Sequence, residues 1–288
     1  MAQQETNYTQ GYSKATVGSH ASRTIHSDAA FLLPFIKPSD KILDVGCGPG
    51  TITVGFAKLV PEGSVIGIDI SEAVLAQARE LAEAEAKELR SDSTPHRGGG
   101  ISFQKEDLLA GLPFEDDSFD VIFSSQLLIH LHPSATRQQA LREMRRVLKP
   151  GGILASRDAA ELRFYPPSHD LDRLWGRNMA RAIRDGDPDA RLPGGEMPAL
   201  YRQVGFDAGA GKLVVGAGTT VHSSREVRKW YVDGCLGRLS KGDVFRDSWL
   251  KAGISEAEIE ETRQALERWA QDDDAWYVAL QAEILGWK

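Results

Sequence analysis

The stretch Asp44-Val45-Gly46-Cys47-Gly48-Pro49-Gly50 constrains this 288-residue chain more than any other. The apolar run Lys41-Ile42-Leu43 before it reads as a short buried strand, and Thr51-Ile52-Thr53-Val54-Gly55-Phe56-Ala57 after it reads as the first turns of a helix. Glycines permit positive φ and let a ligand approach the backbone closely, and a helix N-terminus presents free N–H groups. A dinucleotide fingerprint, G-x-G-x-x-G, requires a third glycine where Thr51 stands here. Asp44, two residues before Gly46, would repel a pyrophosphate and favours a cationic ligand group.

Four further segments follow in order. Gly63-Ser64-Val65-Ile66-Gly67-Ile68-Asp69 reads as a second buried strand ending in an acid, and Asp69 lies 19 residues beyond Gly50. A carboxylate there accepts hydrogen bonds from ribose hydroxyls, the reading favoured at this spacing. Alternatively it caps a helix that Ser71 and Glu72 open, predicted over Ala73–Leu89. Ile101–Leu108 reads as a strand ending at Asp107, where an ordinary solvated strand end is a fair rival to a binding role. Leu112-Pro113-Phe114-Glu115-Asp116-Asp117-Ser118-Phe119-Asp120 leads into a fourth strand, Val121-Ile122-Phe123, after which Ser124, Ser125 and Gln126 are expected to surface at the carboxyl edge. Leu141–Gly152 ends a helix in Lys149-Pro150-Gly151-Gly152, so that Ile153-Leu154-Ala155 starts strand five.

In this order the five segments, spanning residues 41–157, resemble the class I S-adenosylmethionine-dependent methyltransferases, whose first motif is D-x-G-x-G-x-G. The cofactor of that family carries a sulfonium, an amino group and no phosphate, which suits Asp44. Within the family the chain is similar to the ubiquinone/menaquinone-biosynthesis type (methyltransferase type 11-like). The residues concerned are Tyr8-Thr9-Gln10-Gly11-Tyr12, Arg157-Asp158 after strand five, and the closing Gly286-Trp287-Lys288. The resemblance implies an α/β fold: a Rossmann-like seven-stranded sheet, last strand antiparallel between strands five and six, helices on both faces, and a small helical cap. It implies S-adenosyl-L-methionine as cofactor, S-adenosyl-L-homocysteine as product and no metal. By resemblance, Asp107 accepts from the adenine amino group and Leu108 offers its N–H to the ring. Asp44, Gly46, Gly48, Gly50, Thr51, Asp69, Ile70, Ser124 and Gln126 complete the cofactor set, with Tyr8 and Tyr12 closing over it or simply packing on the domain.

Residues 1–36 are then a lid and helix, the latter capped and predicted over Ser27–Ile36. Residues 37–160 form the cofactor-binding core, and residues 161–288 the rest of the sheet with a helical cap, in one domain overall. Helices are expected over Leu171–Arg184, Gly195–Val204, Ser223–Leu239 and Ser255–Ala270, a strand at Lys212–Val215, and another from Trp276 to Trp287. Ser91–Gly100 reads as a surface insertion. Trp175, Trp230, Tyr231 and Trp276 suit either core packing or a cap for a planar acceptor.

Methyl transfer to an acceptor that loses a proton needs a base. His130, in Gln126-Leu127-Leu128-Ile129-His130 after strand four, is the leading candidate, with bracing of its own loop as the rival role. His20 reaches an acceptor from the N-terminal lid or is simply solvated there. Arg157 binds an acceptor carboxylate or pairs with Asp158. The expected activity is methylation of a small organic acceptor, a secondary metabolite or a quinone-like ring. A cofactor-binding partner or regulatory protein without catalysis is the alternative.

A net charge of −7 argues against nucleic acid as a partner. No run of about 18 apolar residues suggests a membrane span, and the N-terminus has no signal-peptide pattern, so a cytoplasmic location is expected. Two cysteines, Cys47 in the glycine turn and Cys235, support neither a disulfide framework nor a metal site. Monomer and homodimer both remain open.

Overall fold

Adjacent apolar pairs on the strands set the architecture. In Ile42-Leu43, Val121-Ile122 and Ile153-Leu154 the pleat sends the two members to opposite faces. Ile42, Val121 and Ile153 join one core with Leu32 and Phe56, while Leu43, Ile122 and Leu154 join a second with Leu141 and Met144. Strands apolar on both faces require helices on both faces.

The computed structural model describes residues 23–91, 99–184, 186–187, 191–209 and 211–288. Its strands are β1 (Lys41–Val45), β2 (Ser64–Asp69), β3 (Gly100–Lys105), β4 (Phe119–Ser125), β5 (Leu148–Tyr165), β6 (Leu213–His222) and β7 (Trp276–Trp287). They form one seven-stranded sheet in the order β3-β2-β1-β4-β5-β7-β6. The first five run parallel: Leu43 pairs with Ile66 on β2 and Ile122 on β4, and Ile122 with Leu154 on β5. The last strand is antiparallel and lies between β5 and β6, as expected.

The helices are α1 (Ile25–Asp28), α2 (Thr51–Ala57), α3 (Glu72–Ser91), α4 (Ser134–Val147), α5 (Asn178–Ile183), α6 (Met197–Gln203), α7 (Arg225–Arg238), α8 (Val244–Lys251) and α9 (Glu256–Gln271). The helix expected over 27–36 is instead one turn, α1, followed by a 3-10 turn at Leu33–Phe35. Thr24, not Ser27, is its cap: Thr24 Oγ1 accepts from the Ser27 N–H and Ser27 Oγ accepts from the Thr24 N–H. Strand five begins five residues earlier than Ile153 and runs through Arg157-Asp158 to Tyr165, β6 runs on to His222, and α8 is a helix where none is expected.

The chain forms two compact units. Among the described residues, the larger comprises those from 23 to 158, 194 to 217 and 282 to 288. Arg146 on α4 clamps the approach to β4 there, donating to the Leu112 and Phe114 carbonyls and pairing with Asp116 and Glu143, while Glu143 accepts the Leu112 N–H at 2.7 Å. The C-terminus seals the Lys149-Pro150-Gly151-Gly152 turn: Gly151 N–H donates to the Lys288 carbonyl and Lys288 N–H to that of Gly152.

The other unit holds Ala159–Pro193 and Gly218–Gln281. A π-helical stretch, Asp172–Arg177, leads into α5, and Ser224, Asp243 and Ser255 cap α7, α8 and α9. Its core is aromatic. Trp175, Phe245 and Trp249 meet with centroids 5.6–5.7 Å apart, and the Arg238 guanidinium lies 4.5 Å from the Phe245 centroid. Phe164, Tyr231, Trp269 and Tyr277 form a second group.

Candidate functional site

The glycine turn closes the carboxyl end of β1. Gly46, Gly48 and Gly50 have φ of 72°, 54° and 81°, all in the region that favours glycine. Gly46 and Cys47 donate their N–H groups to the Ile68 carbonyl, tying the turn to β2. At Gly50 a Cβ would come within 2.8 Å of Ala78 Cβ, so only glycine lets α2 start there. At Gly48 a Cβ would meet nothing within 4 Å. The centre of the turn is therefore open, while its end is packed. Thr51 is the first residue of α2, next to that open backbone.

Two carboxylates frame the turn. Asp44 is 2% exposed and accepts from Thr53 Oγ1 at 2.6 Å. Burial pushes its carboxyl up to about 7, the Thr53 hydroxyl opposes that rise, and Asp69 adds to it. Asp69, at the tip of β2, accepts from Gly48 N–H at 3.1 Å and Ser71 N–H at 2.9 Å. Burial raises it as well, against the pull of the Ser71 and Gly48 N–H groups. It thus performs the helix-opening role at Ser71 and braces the glycine turn at once. Ile70 beside it is 37% exposed. Asp107 is exposed and caps the 3-10 turn Leu108–Ala110 through the Leu109 N–H, while Leu108 is buried.

These carboxyls make stability rise on mild acidification. A group whose pKa is higher folded than unfolded holds an extra proton in the fold between the two values. Asp44 and Asp158, the latter also pushed up to about 7 by burial, should each add about 1.4 kcal/mol per pH unit as pH falls from about 7 toward the unfolded value. His222, lowered by burial, opposes them once the unfolded imidazole protonates. Denaturant unfolding at pH 7.5, 6.5 and 5.5 should show the protein strengthening and Asp44→Asn strengthening less. An Asp44→Asn profile parallel to that of the parent would refute the assignment.

At the carboxyl end of β4 the structure corrects one expectation. Ser124 does not surface: it is fully buried, shares a 2.9 Å hydrogen bond with Ser156 on β5, and Ser156 accepts from the Tyr201 hydroxyl at 2.6 Å. The edge position belongs to its neighbours. Ser125 Oγ is buried with no hydrogen-bond partner among the described residues. Gln126 adopts a φ of 54° and donates its N–H to the Arg157 carbonyl at 2.8 Å. His130 ends the 3-10 turn Leu128–His130, half-buried, its N–H on the Leu127 carbonyl.

Arg157 is the second correction. It is 2% exposed and pairs with Asp28 at 2.9 Å and Glu283 at 3.3 Å, joining α1, β5 and β7. Asp158 does other work, accepting from Leu128 and Ile129 N–H. A guanidinium committed to two carboxylates inside the fold does not serve an acceptor carboxylate. Tyr8, Tyr12 and His20 lie outside the described residues. Sequence reasoning missed Thr53, Asp28, Arg137 and Tyr201. Among them only Thr53 left a trace, as a polar residue on the buried side of α2.

The open turn, its two carboxylates and the edge residues of β1, β2 and β4 fit a cationic, phosphate-free ligand. A family model described as a methyltransferase domain matches residues 36–189. The chain belongs to that family. The methyltransferase is similar to the probable methyltransferase ltbC of Aspergillus luteorubrus, 50% identical over 287 residues, covering 99% of this chain and 98% of the relative. It is 31% identical over 291 residues to an uncharacterized methyltransferase, C1B3.06c, of Schizosaccharomyces pombe, covering 96% and 95% of the two chains. The crystal structure of YcgJ from Bacillus subtilis shares the fold at 18% identity and a TM-score of 0.55, over 90% of this chain and 97% of that one. The family model and these two relatives thus show a methyltransferase, as the motifs between residues 41 and 157 imply. Among the described residues no helix is long and apolar enough to cross a membrane, and no cluster of three His, Cys, Asp or Glu side chains could hold a metal ion.

Proposed function

We propose that this methyltransferase binds S-adenosyl-L-methionine on the glycine turn and methylates a small organic acceptor, a secondary metabolite or quinone-like ring, in the cytoplasm. The carrying observation is the turn itself: open over Gly48, flanked by the Asp69 carboxylate and exposed Ile70, at the end of β1 next to β4, where Ser125 Oγ is buried with no hydrogen-bond partner among the described residues. Asp69 would accept from the ribose hydroxyls, Ile70 and Leu108 would line the adenine, and Asp107 would accept its amino group. Gly46, Gly48 and Thr51 offer backbone close to the amino-acid end, with Asp44 supplying negative charge behind it and Gln126 at the β4 edge. When bound, the cofactor supplies an activated sulfonium methyl group. The chain's own task is then to hold an acceptor aligned, and orientation alone is worth about 7–11 kcal/mol. His130 would take a proton from the acceptor heteroatom or carbon.

Calorimetry with S-adenosylmethionine and S-adenosylhomocysteine tests the cofactor reading, and methyl-deuterated cofactor incubated with a metabolite extract tests the acceptor class. The expected result is binding, with label in a small molecule. Label in protein or RNA would overturn the acceptor class, and no binding of either cofactor form would overturn the whole reading. Asp69→Ala should weaken cofactor binding by about 1–3 kcal/mol, the scale of hydrogen bonds to a charged group. Unchanged affinity would remove Asp69 from the ribose site.

A further inference from the structure

The turn that carries His130 is held from outside itself. Leu127, at its N-cap position, makes no side-chain cap bond, so the first N–H groups of the 3-10 turn need acceptors elsewhere. Asp158, midway along β5, supplies both: Oδ2 accepts from Leu128 N–H at 3.2 Å and Oδ1 from Ile129 N–H at 3.1 Å. Thirty residues away in sequence, it acts as the missing cap. Arg137 on α4, fully buried, takes the other end of the peptide, donating Nε to the Leu128 carbonyl at 3.0 Å, and its Nη1 pairs with Glu196. Upstream, Gln126 N–H is fixed on β5, and Leu127 packs where a Cβ on Gly46 would fall, 3.0 Å from Leu127 Cδ1. One carboxylate and one guanidinium thus fix the backbone immediately before His130, and Leu127 ties the same turn to the glycine turn.

The geometry points to Asp158 as the positioning residue for His130: its carboxylate caps the Leu128–His130 turn and so sets where the imidazole stands. This rests on the reading of His130 as the base. Asp158 touches no reacting atom and acts through the turn. Arg137, Arg23 and Tyr201 are the other titratable groups that bear on it. Burial raises its carboxyl, whereas the two N–H donors, Arg137 and Arg23 pull it down, so the bonds favour the charged, accepting form. An acid at this place is costly to bury, and the two otherwise orphaned N–H groups are what it satisfies.

Asp158→Asn keeps the shape but turns an NH2 toward one of the two N–H donors. Asp158→Glu keeps the charge and shifts it by one methylene. Both variants are compared with the parent by calorimetric cofactor affinity, by NMR titration of the His130 imidazole, and by turnover on the acceptor found with labelled cofactor. The expected result for both is a moved His130 titration, turnover down about 10- to 100-fold with cofactor affinity changed less than about threefold, and a displaced pH–rate profile. An unmoved His130 resonance and titration in both would overturn the proposal. Loss with Asp158→Asn alone, Asp158→Glu matching the parent, would also overturn it, since charge rather than placement would then be the cause. If Asp158→Asn fails to fold, Asp158→Glu carries the test. The imidazole titration separates this proposal from the reading beneath it: should His130→Ala retain full activity, the base assignment falls, while a moved titration would still show that Asp158 places the turn.

Discussion

Arg157→Met should destabilise the fold by about 3–5 kcal/mol, the scale of stranding buried carboxylates by removing their partner. The side chains concerned are 2% exposed for Arg157, 8% for Asp28 and 15% for Glu283, so water cannot take over the lost contacts. Methionine matches the aliphatic length of the arginine stem and keeps most of the packing, which isolates the electrostatic loss. Asp28→Asn in the same chain should recover part of it, because one of the two stranded charges is then gone. Urea unfolding of the parent and the two variants measures both effects. Near-parental stability for Arg157→Met, with a raised KM for the acceptor, would return Arg157 to acceptor binding.

The parts of the fold that could be read from the sequence are those whose determinants are local. The glycine turn is visible because three positive-φ residues and the start of α2 fall within seven positions. The strands β1, β2 and β4 are visible because double-sided burial leaves continuous apolar runs. The long motif Leu141–Gly152 is legible for a different reason: Glu143, Arg146 and the glycine turn after Lys149 are clamps on the β4 approach and on Lys288, so each position answers to a contact. What escaped depends on partners remote in sequence. Arg157 finds Asp28 and Glu283 at separations of 129 and 126 residues, and no spacing rule reaches that far. Ser124 looked like an edge hydroxyl because a serine paired sideways to Ser156 and Tyr201 has the same local signature as one facing a ligand. The helix α1 was misplaced because Ser27-Asp28 resembles a cap, whereas Ser27 is the third-turn-residue partner of Thr24 and Asp28 is drawn inward by Arg157.

His130→Ala should lower turnover by about 10²–10⁴-fold for an acceptor that loses a proton, the range that a positioned base contributes. Cofactor affinity should stay within about twofold, because no cofactor hydrogen bond is assigned to the imidazole and the backbone of its turn is held by Asp158 and Arg137. This separates the two roles open to His130. A histidine that merely braces its loop would, on removal, loosen the Leu128–His130 turn, and through Leu127 against Gly46 the glycine turn would feel it, so cofactor affinity and stability would fall with turnover. A base would lose turnover alone. His130→Gln sharpens the contrast: an amide restores hydrogen bonding and much of the packing but accepts no proton at neutral pH, so a bracing role is rescued and a base is not. The acid limb that an imidazole base imposes on kcat/KM should also vanish in both variants. Full activity in His130→Ala on the labelled acceptor would end the assignment, and direct methylation of a nucleophile already deprotonated in solution would take its place.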